Sequence, residues 1–98
     1  MAGTYVGAMN GVWADTTVIV NTGYQVFVDE VDNNTVFVHG THFDAFEVLV
    51  TWSGINIEPV DASDANLTEF VWIADDDKLK FTYTKSGENE TAYFIGYR

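Results

Sequence analysis

The 98-residue chain predicts a single all-β domain spanning residues 1–98, an antiparallel meander of about eight to nine strands closed into a small barrel. Three observations carry that prediction. Residues facing alternately to the two sides run with period two through Phe46–Trp52 and Leu79–Tyr83, and Tyr24–His39 holds two runs rich in Val and Phe around a polar turn, the patterns of strands with a buried face. Short clusters of Asn, Asp, Gly and Ser separate these runs and supply turn chemistry. The connections are too short for crossovers, so strands neighbouring in sequence pair in space, and a meander of this length escapes exposed edges by closing on itself. The alternative architecture is a two-sheet β-sandwich.

Taken in order, Thr4–Met9 reads as a first strand, and Asn10-Gly11 as a turn. Val12-Trp13 leads into a second strand over Thr16–Asn21, closed by Thr22-Gly23. The third and fourth strands form the clearest hairpin of the chain. Tyr24–Val31 and Thr35–His39 are rich in Val and Phe, and Asp32-Asn33-Asn34 between them tolerates the left-handed backbone of a tight turn. Gly40–Asp44 connects to a fifth strand, Phe46–Trp52. Ser53-Gly54 turns into Ile55–Glu58, which Pro59 stops because it lacks an N–H. Val60–Asn66 has the least β character, with Ser63 or Asp61 available to cap a helical turn. Leu67–Ala74, Leu79–Tyr83 and Thr91–Tyr97 complete nine candidate strands, with turns at Asp75-Asp76-Asp77 and Ser86-Gly87.

Composition narrows the function. Fifteen acidic residues face four basic ones, for a formal net charge of −11. Binding a phosphate backbone requires clustered Lys and Arg, so nucleic acid is not an expected partner, nor is an anionic membrane. No stretch approaches the ~20 apolar residues of a membrane-spanning helix, and no membrane insertion is expected. The absence of Cys removes disulfides and thiolate metal sites, leaving packing to hold a domain with fifteen aromatic residues. The acidic surface points to a secreted or cell-envelope (periplasmic) setting, with a cytoplasmic one still open.

Alternation assigns Tyr24, Val26, Val28, Val36, Val38, Phe46, Val48, Val50, Phe70, Trp72, Leu79, Phe81 and Tyr83 to the interior. Phe27, Phe37, Leu49, Val71 and Ile73 then fall on the outer face, a surplus that calls for a cover. Phe27, Phe37 and Leu49 are the candidate interface, for a second copy of the chain or another protein.

Catalytic and metal chemistry is thinly represented. His39 and His42, with Asp44 nearby, have no helix to align two rings on one ion. Asp75-Asp76-Asp77 lacks the interleaved ligands of a calcium loop. Ser53, Ser63 and Ser86 stand in turns without a nucleophile elbow, and Glu47, Glu58 and Glu69 are the carboxylates that strands could pair. Neither an enzyme nor a cofactor is expected. Asn33-Asn34-Thr35, Asn66-Leu67-Thr68 and Asn89-Glu90-Thr91 match the glycosylation sequon at close to the chance rate for this composition.

Gly3-Thr4-Tyr5 with Gly7, the hairpin-rich middle and the closing Tyr93-Phe94-Ile95-Gly96-Tyr97-Arg98 resemble the calycin-like β-barrel domains of bacterial envelope lipoproteins, and more distantly lipocalins and avidins. In that comparison Gly11-Val12-Trp13 stands where those families carry Gly-x-Trp, and Arg98 where lipocalins place a late Arg over that Trp. The resemblance implies a barrel open at one end, with binding as its business. An eight-stranded barrel is just wide enough to be filled by side chains or to hold one small ligand. The leading expectation is a non-enzymatic binding or interaction module, self-associating through its outer face. The alternative is a carrier of one small apolar or aromatic ligand held inside by Trp52, Trp72, Tyr83 and Tyr24.

Overall fold

The computed structural model describes residues 2–32, 34–43, 45–53, 56–62, 66–85 and 90–98, and of residues 51–53, 56–62 and 66–68 it describes the backbone. Eight strands follow one another: β1 (Gly3–Trp13), β2 (Thr16–Glu30), β3 (Thr35–His39), β4 (Phe46–Ser53), β5 (Asn56–Ala62), β6 (Asn66–Ile73), β7 (Lys78–Lys85) and β8 (Glu90–Tyr97). Each pairs antiparallel with the next, and β8 pairs with β1 from Val6↔Tyr97 to Val12↔Thr91, giving one strongly curled, barrel-like sheet. Among the described residues the only helical element is a 3-10 turn over Ala74–Asp76, and no helix is long and apolar enough to cross a membrane.

The nine expected strands become eight elements because Thr22-Gly23 lies inside β2 and joins two of them, while Asn10-Gly11 lies inside a longer β1. Asn10 and Gly11 pair with Ile19 and Val18 within the β1–β2 ladder. Thr22 and Gly23 belong to a bulge: Gly7 pairs with Tyr24 and Met9 with Val20, so β2 carries two extra residues there. Gly23 takes φ +83°, a backbone that glycine adopts without penalty, and uses it to bend a strand rather than reverse it. The reversal falls at Ala14 and Asp15, both left-handed with φ 51° and 61°, which join the paired Trp13 and Thr16. This is the geometry of a two-residue hairpin without the usual Asn-Gly.

Pro59 and the residues after it also depart from expectation. Val60–Ala62 continue β5, so Asp61 caps no helical turn, while Ser63 and Asp64 lie outside the described residues. Leu49 pairs with Asp61 and Val50 with Pro59, leaving Val60 as an extra residue beside the proline. A bulge is where a ladder tolerates a residue that cannot donate.

The predicted inward set holds throughout. All thirteen assigned residues, from Tyr24 to Tyr83, are buried, and Tyr5, Met9, Phe43, Ala92 and Phe94 join them. The middle is aromatic: Phe81 has the rings of Phe43, Phe46, Phe70 and Phe94 at centroid distances of 5.4, 5.7, 6.2 and 5.6 Å. Gly96 makes room for part of this. A Cβ there would lie 2.5 Å from Phe94 Cζ and 2.9 Å from the Val6 backbone.

Each end has its own cover. At one, Phe43 swings in from the connector after β3 and meets Phe46, Phe81 and Tyr83. At the other, Arg98 donates from Nη1 to the Ala2 carbonyl at 2.8 Å and from Nη2 to Asp77 Oδ1 at 2.7 Å. Tyr5 lies buried beneath it.

Candidate functional site

Antiparallel register builds the outer face of β2–β4 row by row. Phe27 pairs with His39, and Phe37 pairs with Asp29 on one side and Glu47 on the other. Thr35 pairs with Leu49 in the next row. Because neighbours alternate across the sheet, Val26, Val28, Val36, Val38 and Val48 point inward and are buried, and these residues take the opposite side. Phe27 and Phe37 are half-buried, and Leu49 is 43% exposed.

His39 organises this face. Its ring stacks on Phe27 at 5.2 Å with the planes 25° apart, and leans on Phe37 at 5.4 Å. Its Nε2 lies 3.0 Å from Asp29 Oδ2. A pair of this exposure contributes at most about 1 kcal/mol; its main effect is to orient the imidazole between two phenyl rings. The three rings form one continuous aromatic surface, bounded in register by Asp29 and Glu47. His39 and His42, three residues apart in sequence, go to different neighbours. His42 packs on Tyr24 at 5.6 Å, and its backbone N–H donates to the Tyr24 hydroxyl at 3.0 Å.

The interior candidates fall at two ends of the sheet, Tyr24 and Tyr83 at the Phe43 end and the backbones of Trp52 and Trp72 in one row on either side of Ile57 at the other. Tyr24 is buried near the β3–β4 connector and touches Phe94 at 6.1 Å. Tyr83 packs on Phe43 and Phe46 at 5.9 and 5.8 Å. Trp72 pairs with Leu79, beside the β6–β7 turn at the opposite end of the sheet. The backbone of Trp52 pairs with Ile57, while its side chain lies outside the described residues.

Burial pushes the Tyr5 hydroxyl up to about 12, against the opposing pull of the nearby Arg98 charge; Asp77 adds to the rise and a hydrogen bond from Trp72 reduces it. The Arg98 guanidinium thus serves the Tyr5 end, whereas Trp13 ends β1 eight residues further along. Its placement over Trp13, which the lipocalin comparison implies, is not the one found.

Among the described residues no group of three or more His, Cys, Asp or Glu stands close enough to hold a metal ion. Glu69 is engaged by Lys80 at 3.4 Å, and Asp75–Asp77 form the 3-10 turn and its left-handed exit. Asn33, Asp44, Ser63, Ser86 and Asn89, and the side chains of Ser53, Glu58 and Asn66, lie outside the described residues. No protein-family model, curated protein or solved structure matches the chain.

Phe43 and His39 are the functional and structural residues that pattern reading missed. Phe43 has a faint signal, an aromatic side chain inside an otherwise polar connector. His39 has a clearer one: it continues the outward parity of Phe37 on a strand whose other face is all Val.

Proposed function

We propose that this chain is a non-enzymatic binding or interaction module, of a secreted or cell-envelope setting, that meets its partner through the outer face of β2–β4. The observation that carries the reading is the Phe27–His39–Phe37 stack, an ordered aromatic surface laid over an interior whose rings already fill one another. Leu49, at 43% exposure, extends it with apolar area, and outward aromatic clusters of this kind mark protein contacts.

The sheet acts in this reading as a closed eight-stranded barrel. Seven β1–β8 pairs support closure, and Asn56↔Ile73 with Ile57↔Trp72 carries the β5–β6 seam. Such a barrel is a rigid platform, and rigidity lowers the entropic cost of association. The occupant is a second copy or a different protein. Light scattering at micromolar concentration separates these: a dimer abolished by Phe37→Ser supports the first, and a monomer leaves the second.

The carrier reading has weaker support, because Tyr24, Tyr83 and Trp72 are already in contact with other core groups or set apart. Titration with a hydrophobic probe while following tryptophan fluorescence tests it. A saturable one-to-one quench would favour the carrier over the interaction module.

A further inference from the structure

We propose that the occupant of the β2–β4 outer face is a cationic polypeptide segment of a partner protein, with an Arg or Lys side chain laid on the Phe27–His39–Phe37 rings. This rests on the interaction-module reading and names the chemistry of the partner. The cross-strand row Asp29–Phe37–Glu47 places a carboxylate residue on each side of a half-exposed phenyl ring. A guanidinium over an aromatic face gains from the ring quadrupole, and flanking carboxylates supply charged acceptors for its N–H groups. Asp32 adds a further carboxylate just past the end of β2.

Charge decides between this occupant and a second copy. The chain's cations, Lys78, Lys80, Lys85 and Arg98, all lie on β7 or at the C-terminal end of β8, away from this face. Two copies meeting through this face across a two-fold axis would bring the Asp29 and Glu47 carboxylates of one copy into the same interface as those of the other, each chain carrying a formal net charge of −11. Like charges juxtaposed at an interface are a strong obstacle to association. A basic segment removes that obstacle and is drawn in by the whole field of the molecule.

The test uses the full chain, with hexa-arginine and hexa-glutamate peptides as probes and backbone amide NMR shifts as readout. Hexa-arginine is expected to move the signals of residues 27–29, 36–39 and 47–49 saturably, and hexa-glutamate to move none. Phe37→Ser is expected to weaken hexa-arginine binding by roughly tenfold, the scale of a desolvated cation–π contact. The double change Asp29→Asn with Glu47→Gln, which keeps side-chain shape, is expected to weaken binding and flatten its salt dependence. Shifts scattered over all acidic surfaces and indifferent to Phe37→Ser would overturn the proposal. A dimer through the same residues without a response to hexa-arginine would overturn the cationic occupant and leave the interaction module standing. A monomer with no response to either peptide would likewise overturn the cationic occupant.

Discussion

Arg98 holds Asp77 twice: its backbone N–H donates to the Asp77 carbonyl at 2.9 Å, and its Nη2 donates to Asp77 Oδ1 at 2.7 Å. The side-chain pair is partly exposed, at 37% and 42%, so it contributes about 0.2 to 1 kcal/mol and less at high salt. Asp77 also sits in the left-handed region with φ 49°, where alanine is strained by about 1 kcal/mol. Asp77→Ala is therefore expected to destabilise by about 1 to 2 kcal/mol and Asp77→Gly by less, since glycine loses the pair but relieves the backbone. Urea unfolding of the two variants checks the order; an alanine variant more stable than the glycine one would contradict it.

The Ala14-Asp15 turn offers a gain. Both residues hold positive φ, which Asn and Gly accept at lower cost than Ala and Asp. Replacing the pair by Asn-Gly is expected to raise stability by about 1 kcal/mol, measured as a higher urea midpoint with unchanged slope.

Phe81, like Phe46, has four ring neighbours in the core. Phe81→Ala is expected to cost about 3 to 5 kcal/mol, enough to unfold many domains of this length. Phe81→Leu keeps most of the volume and is expected to fold with a smaller loss, so circular dichroism of the leucine variant and urea melts of both test the packing account.

Tyr5 predicts the alkaline limit. Its hydroxyl titrates near 10 when unfolded and at about 12 in the folded chain. The folded state therefore favours the protonated form. Its contribution, on the order of 2 to 3 kcal/mol, is complete below pH 10 and is lost as pH rises towards 12. Tyr5→Phe is expected to change stability little at neutral pH and to shift the alkaline unfolding midpoint upward. An unchanged alkaline midpoint would remove Tyr5 as the cause.

Much of the sheet was legible because its strands obey a strict period of two. Val26, Val28, Val36, Val38, Phe46, Val48 and Val50 were assignable inward by counting alone, as a one-residue slip would have exposed all of them. The long β1 and β2 were not legible as single strands. Asn10-Gly11 and Thr22-Gly23 carry the local chemistry of turns, and only the partner strand's register makes the second a bulge. The true turn at Ala14-Asp15 carries no glycine and gave no signal. The outer face was half legible: Phe27 and Phe37 follow from parity, but His39 joins them through a register that brings residues 27 and 39 opposite each other.

The hydrogen bond from Arg98 to the Ala2 carbonyl joins residues at either end of the numbering, which has a consequence for how the chain can be rewired. Every ladder except β1–β8 forms between consecutive strands, so that ladder closes the longest loop and carries the largest single loop-closure cost. A circular permutant linking Arg98 to Ala2 through a few glycines and opened between Ala14 and Asp15 would make that ladder local. The ten-pair β1–β2 ladder then becomes the long-range one, so the permutant is expected to keep the β-sheet circular dichroism of the parent and to refold at a similar rate in a different order, with the former first and last strands meeting early.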